Sequence, residues 1–148
     1  MPTGTVRFHR VLRAKSERVY RAFLDADAIP RWLPPYGFTC KVHLMDQRVG
    51  GTYRMSFTNF GTGHTHYFGG EYLELKPHER IVYSDKFEDP ALQGEMRTIV
   101  DLRAVSCGTE LQVEQNGIPE LIPTEMCYLG WQESLRQLAH LVEPEITE

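Results

Sequence analysis

The sequence predicts an α+β domain in which a curved antiparallel sheet of about six or seven strands wraps around one long C-terminal helix. Apolar and polar residues alternate with a period of two in short segments between residues 38 and 115, as in half-buried strands. After Gly117-Ile118-Pro119 the period becomes helical. The 148 residues fit one domain, residues 1–148, with a core large enough to contain a pocket. A sheet closed by one helix usually encloses a cavity, so we expect a small molecule to be held inside.

The N-terminal segment predicts one strand followed by two short helices. Residues 5–13 alternate as a strand. Ser16 is the expected N-cap of the first helix, which residues 25–27 interrupt. Residues 28–33 then form one or two helical turns, and Pro34-Pro35 ends them because proline cannot continue a helix.

Six further strands are expected, separated by turns rich in glycine and proline. Their ranges are 38–44, 53–57, 66–76, 80–87, 96–102 and 111–115. The first of them should place Phe38, Cys40, Val42 and Leu44 on one face. The final helix should begin near Pro123-Thr124-Glu125. Its expected apolar face comprises Cys127, Tyr128, Trp131, Leu135, Leu138 and Val142.

Composition excludes several classes of protein. There are 16 Lys and Arg against 20 Asp and Glu, giving a net charge of −4, so no positive field attracts nucleic acid. No apolar stretch approaches the roughly 20 residues that span a bilayer, and Met1-Pro2-Thr3-Gly4 does not begin a signal peptide. We therefore expect a cytoplasmic protein with no membrane span.

The cysteines and histidines do not indicate a metal site or a disulfide framework. Cys40, Cys107 and Cys127 are odd in number and lack C-x-x-C spacing, so reduced thiols are expected. His64 and His66 would share one face of a strand edge, but two imidazoles without a third ligand favour an exposed pair over zinc. We expect no metal and no cofactor.

The order of short motifs resembles one known superfamily. A strand is followed by two helices ending in residues 31–35 (RWLPP), then by six strands and a helix that carries Gly130-Trp131 and Leu135. This order resembles the START-like, or birch-pollen-allergen-like (SRPBCC), superfamily. Within it, the chain resembles the bacterial single-domain type of heat shock protein 90 ATPase activator homologues. The matching motifs are Gly50-Gly51 before a strand, residues 70–75 (GEYLEL) and residues 77–84 (PHERIVYS).

The resemblance implies a helix-grip fold, with a cavity beneath the helix and two short helices closing one end. The family has no shared catalytic constellation. Its eukaryotic co-chaperone carries a separate N-terminal domain that stimulates the chaperone ATPase, and this chain has no room for one. A chaperone partner is therefore not favoured.

The residues expected to face the cavity are aromatic, flexible or small. The predicted ligand-binding residues are Trp32, Tyr53, Met55, Phe57, Tyr83, Met96, Thr98, Val100, Tyr128 and Trp131. Such a lining suits a small hydrophobic molecule. The alternative is that these side chains are ordinary core, since such stripes are more often core than binding site.

Asp85 is the best candidate for a catalytic group, with Tyr83 as a second proton donor. Asp85 follows Ile81 and Tyr83 in the same alternation, and burial of its carboxyl would raise its pKa. The favoured alternative is a strand-end carboxylate that is solvated or paired with Lys86, Arg97 or Arg54. No catalytic motif is evident, so whether the protein is an enzyme stays open.

The sequence thus predicts a protein that binds a small hydrophobic or amphipathic molecule between sheet and helix. The alternatives are an enzyme using the same cavity for cyclase- or dehydratase-like acid–base chemistry, and an interaction module associated with a chaperone. The sequence leaves a homodimer through an exposed strand edge open, although charges such as Arg7 and Arg13 often block such edges. The residues do not identify the ligand, any reaction or the oligomeric state.

Overall fold

The computed structural model describes residues 3–148, in which seven strands and three helices form an α+β fold. Met1 and Pro2 lie outside the described residues. The strands are β1 (Gly4–Leu12), β2 (Phe38–Met45), β3 (Thr52–Asn59), β4 (Thr65–Lys76), β5 (Arg80–Phe87), β6 (Met96–Val105) and β7 (Gly108–Ile118). The helices are α1 (Ser16–Leu24), α2 (Ile29–Trp32) and α3 (Thr124–Val142).

All seven strands form one curved antiparallel sheet in the order β1-β7-β6-β5-β4-β3-β2. Strands β2 to β7 form a meander, and β1 pairs with β7, so β1 and β2 are the two edges. The long helix α3 packs against β1, α1 and α2. The predicted α+β helix-grip fold is confirmed. No helix among residues 3–148 is both long and apolar enough to cross a membrane.

The two short helices form a corner that hydrogen bonds attach to α3. The indole of Trp32 donates to the Ala22 carbonyl at 2.9 Å, and the Phe23 ring packs edge-on against it with centroids 4.7 Å apart. The side-chain amide of Gln137, on α3, donates to the carbonyls of Trp32 (3.0 Å) and Pro34 (2.7 Å). The corner is thereby fixed against the face of α3 that looks toward the sheet.

The predicted N-cap of α1 is wrong. Lys15 occupies the cap position, and Ser16 is the first helical residue. The Thr109 hydroxyl donates its proton to the Ala14 carbonyl. The Thr109 oxygen therefore accepts from the Ser16 hydroxyl, 3.0 Å away. The Ser16 hydroxyl therefore ties α1 to β7 instead of capping the helix.

Leu44 also departs from prediction. The register between β2 and β3 shifts between Val42 and Leu44, because β2 contains one residue more than its partner. A single extra residue reverses the alternation of everything beyond it. Leu44 is 52% exposed as a result, whereas Phe38, Cys40 and Val42 are half-buried as expected.

Two groups of buried side chains make up the hydrophobic core. The larger joins β1, α1, α3 and the β5–β7 part of the sheet, and it includes Leu111 and Leu138. The smaller lies under the β3–β4 part of the sheet. Its buried members are Ile29, Tyr53, Met55, Phe68 and Tyr72.

We predict that Leu138→Ala lowers the free energy of unfolding by about 2–5 kcal/mol, because it opens a hole in the larger core. Leu138 is fully buried, whereas Leu141, on the same helix, is 40% exposed. Leu141→Ala is the matched control and should cost about 0.5 kcal/mol or less. Urea unfolding followed by circular dichroism measures both. Equal losses would contradict this account of how α3 packs.

Candidate functional site: a cavity between sheet and helix

A cavity of about 410 Å³ lies between α3 and the concave side of the sheet. Its walls come from α2, from strands β3 to β7 and from the first half of α3, and residues of both core groups line it. The volume is within the range of small-molecule sites. Most of the lining side chains are apolar, and the polar ones are few, which is the usual composition of such sites.

Seven of the ten residues predicted to bind ligand line this cavity. They are Trp32, Tyr53, Met55, Phe57, Tyr83, Met96 and Trp131. The strand residues arrive there because alternate side chains of β3, β5 and β6 point to the concave face. Their contact with a ligand stays a prediction.

The other three predicted residues lie elsewhere. Val100 is fully buried in the larger core, and Thr98 is fully buried beneath the cavity lining. Tyr128 is 40% exposed and stacks on Phe8 of β1, with ring centroids 4.4 Å apart.

The position of Tyr128 follows from helix geometry. Residues 126, 127, 130, 131 and 134 line the cavity, so they define one stripe of α3. Tyr128 lies about 60° beyond the Trp131 edge of this stripe, and its ring packs on β1. The apolar face predicted for α3 therefore includes one residue, Tyr128, that does not line the cavity.

Gln115, which the sequence prediction did not single out, joins α3 to the sheet. Its side-chain oxygen accepts from the indole of Trp131 at 2.9 Å and from the thiol of Cys127 at 3.2 Å. Its amide nitrogen donates to the Thr98 hydroxyl at 3.1 Å. The signal was present in the sequence, since Gln115 continues the inward alternation of Leu111 and Val113 in β7.

The Asp85 carboxyl faces the cavity and lacks a partner for one of its oxygens. Asp85 is half-buried, and part of its surface lines the cavity. Its Oδ1 atom is inaccessible to solvent and accepts no hydrogen bond from the described residues. Arg54, a suggested partner, pairs instead with Glu88 at 2.7 Å. No ion pair involves Asp85 within residues 3–148. Among the described residues Asp85 is therefore not ion-paired, and its half-buried side chain is only partly accessible to solvent.

Burial raises the pKa of Asp85 from 3.8 to about 7. The Tyr53 hydroxyl and the Lys86 backbone N–H oppose this shift in part. The Tyr53 hydroxyl has one proton, however, and in the structure it donates to the Ser84 carbonyl at 2.8 Å, so it does not also serve the carboxylate. Tyr83 stands edge-on to Tyr53 with centroids 5.9 Å apart, and burial raises the pKa of Tyr83 as well. The Asp85 carboxyl thus changes its protonation state near neutral pH.

The paired histidines do not form a metal centre with other side chains. The rings of His64 and His66 pack edge-on with centroids 4.6 Å apart in and beside the loop before β4. Among the described residues, no group of three His, Cys, Asp or Glu side chains is arranged to hold a metal ion. The three cysteines are free thiols.

We predict that Asp85→Asn stabilises the protein increasingly as pH rises. Between about pH 4 and pH 7 the unfolded Asp85 gives up its proton while the folded one keeps it, so wild-type stability falls across this window. Asparagine removes that loss. The gain should therefore be small near pH 4 and greatest above pH 7, in urea unfolding at several pH values. Glu71→Gln, which alters an exposed carboxylate on β4, is the control, and a similar trend in that variant would contradict the assignment to Asp85.

Comparison with known proteins agrees with the fold and the family that the motifs predicted. The sequence profile of the family described as Activator of Hsp90 ATPase homolog 1-like protein matches residues 13–143. The crystal structure of protein CV1439 from Chromobacterium violaceum is 59% identical over 95% of this chain and 98% of that one, with a TM-score of 0.94. No curated protein matches the chain.

More distant structures share the fold. A Rhodobacter sphaeroides protein is 21% identical, with a TM-score of 0.82 over 95% of both chains. An AHSA1-like protein from Aeromonas hydrophila is 18% identical, with a TM-score of 0.77 over 95% of this chain and 92% of its own. With a profile match across most of its length and a relative of this similarity, the chain belongs to the Activator of Hsp90 ATPase homolog 1-like family.

Proposed function

We propose that this protein binds a small hydrophobic or amphipathic molecule in the cavity between the sheet and α3. The observation that carries the proposal is the cavity itself, about 410 Å³ in volume and walled mainly by aromatic and aliphatic side chains. Close packing is the rule in protein interiors, and voids larger than a water molecule are few. A space of this size and lining is suited to an apolar guest.

Two features of the lining support the proposal. Met55, Met96 and Met126 contribute flexible, polarisable side chains that can adjust to the shape of a guest. Gly130 lies in the middle of α3, where glycine costs roughly 0.5–1 kcal/mol relative to alanine. A Cβ built at Gly130 would meet no atom within 4 Å, so packing does not demand glycine there. The lack of a side chain at Gly130 leaves this part of the cavity wall unfilled.

Catalysis in the same cavity is the second candidate. A carboxyl with a pKa of about 7 beside the buried Tyr53 and the half-buried Tyr83 is suited to general acid–base chemistry. Under this candidate Asp85 exchanges a proton with the bound molecule and Tyr83 is a further donor. Undiminished turnover of a bound molecule by Asp85→Asn would remove Asp85 from that role.

Association with a chaperone is the third candidate. It would use exposed surface, such as Leu121, Met126 and Leu129 around the first turns of α3, which are 49–70% exposed. A partner captured equally well by wild type and by a variant with a filled cavity would favour this candidate. Homodimer formation through the edge strands β1 or β2 and a cytoplasmic location stay predictions. The three free thiols are consistent with the latter.

We predict that Gly130→Leu weakens ligand binding without unfolding the protein, because the new side chain projects into open space in the cavity wall. The neutral dye N-phenyl-1-naphthylamine, which fluoresces in apolar surroundings, reports occupancy. We expect its affinity to fall by about tenfold or more, equivalent to at least about 1.4 kcal/mol. Native mass spectrometry of gently purified wild type should show a non-covalent adduct that the variant lacks.

Gly130→Ala is the matched control. Alanine adds only a methyl group, so dye binding should persist, and the helix should gain about 0.5–1 kcal/mol. A folded Gly130→Leu protein that binds the dye as wild type does would place the dye outside the cavity and contradict the proposal.

A further inference from the structure

We propose that the bound molecule carries a protonated amine, which pairs with the Asp85 carboxylate at one end of the cavity while an apolar body fills the remainder. This inference rests on the proposed function and specifies the chemistry of the ligand.

The first argument is the unpartnered oxygen of Asp85. Oδ1 is inaccessible to solvent and has no hydrogen-bond donor among the described residues. A buried acceptor without a donor costs about 1–3 kcal/mol, and more when it is charged. Such a group in a native structure calls for an explanation. The rest of the carboxyl lines the cavity, so a donor on the ligand would bond to it there and lower the cost of burying its charge.

The second argument is the charge of the lining. No lysine or arginine of the described chain lines the cavity. His66 lines it too, but the register of β4 with β5 places Asp85 opposite Gly70, four residues or about 14 Å along the strand from His66. A buried carboxylate is costly unless an opposite charge accompanies it. An ammonium group supplies both the hydrogen bond and the charge, whereas an alcohol supplies only the former and a carboxylate ligand would be repelled.

The third argument is the aromatic surroundings of Asp85. Tyr53 packs against both Tyr72 and Tyr83, with centroids 5.5 Å and 5.9 Å apart, and all three rings line the cavity. Ring faces attract cations by about 0.5–2 kcal/mol, more where water is excluded. The same rings would repel an anion, so the rings and the carboxylate favour the same head group.

Apart from Asp85, the described residues of the cavity wall offer no free strong acceptor for a second polar group of the ligand. Gln115 is the other strong acceptor in the wall, and its oxygen already receives the Trp131 indole and the Cys127 thiol. Beyond Asp85, the edge-on rings of Phe57, Phe68 and Phe87 present an apolar surface. The ligand therefore has one cationic end and one apolar body.

The test compares three probes that share an apolar body: naphthylethylamine, naphthylethanol and naphthylacetate. Titration calorimetry is run at about pH 8, above the Asp85 pKa of about 7, so that the carboxylate predominates. A charge-assisted hydrogen bond is worth roughly 1.5–3 kcal/mol, so we expect the amine to bind about tenfold or more tightly than the alcohol. The acetate should bind weakest of the three.

The variants assign this preference to Asp85. In Asp85→Asn the amine and the alcohol should bind within about threefold of each other, a difference below 1 kcal/mol. Glu71→Gln removes an exposed carboxylate and should keep the full preference. Asp85→Leu replaces the Asn variant if the latter fails to fold. The order of the three probes on wild type alone also tests the inference.

The outcomes separate this inference from the proposed function. If the alcohol and the neutral dye bind but the amine binds no tighter, the cavity is a binding site and the amine inference is overturned. A preference that survives at full size in Asp85→Asn overturns it too. If neither the dye nor any naphthyl probe binds wild type, both the inference and the proposed function fall.

Discussion

The hydrogen bonds of Gln115 fix the height of α3 above the sheet, and the rest of the site depends on that distance. One buried amide accepts from Trp131 and Cys127 on the helix and donates to Thr98 on β6. Because leaving such groups unsatisfied is costly in a dry interior, the helix cannot sink onto the sheet without breaking this network. The corner formed by α1 and α2 holds the far side through Gln137. The cavity lies between these two attachments of α3.

Three features of the cavity work against stability, and none of them helps the chain to fold. Asp85 is enclosed without a partner for Oδ1, Gly130 weakens the middle of a helix, and the interior is not filled. Local departures from otherwise consistent folding rules concentrate at functional sites. All three occur around one space, which supports the proposal that this space binds a molecule.

Periodicity in the sequence predicts most of this architecture, because alternation and helical spacing are direct consequences of which face is buried. Periodicity gives wrong predictions where contacts between distant parts of the chain determine the position of a side chain. A bulge turns the side chain of Leu44 to the exposed face, and Tyr128 lies outside the cavity-facing stripe of α3. The Ser16 hydroxyl bonds to Thr109 instead of capping its own helix. The lack of an ion pair at Asp85 is equally hard to predict, since the sequence offers Arg54 as a partner but the structure pairs Arg54 with Glu88. Contacts between distant segments are not encoded in local pattern.

The division of the core into two groups also bears on how a guest would enter. Strands β2 to β4 pack on the smaller core group, and that group in turn faces the cavity. Segments with few buried contacts open at a lower free energy than the whole molecule unfolds. This half of the sheet is therefore the part expected to exchange its amide hydrogens first. Its transient opening would give a molecule of the proposed kind a route to the interior without a hinged lid, and a bound molecule would slow that opening by adding contacts with these strands.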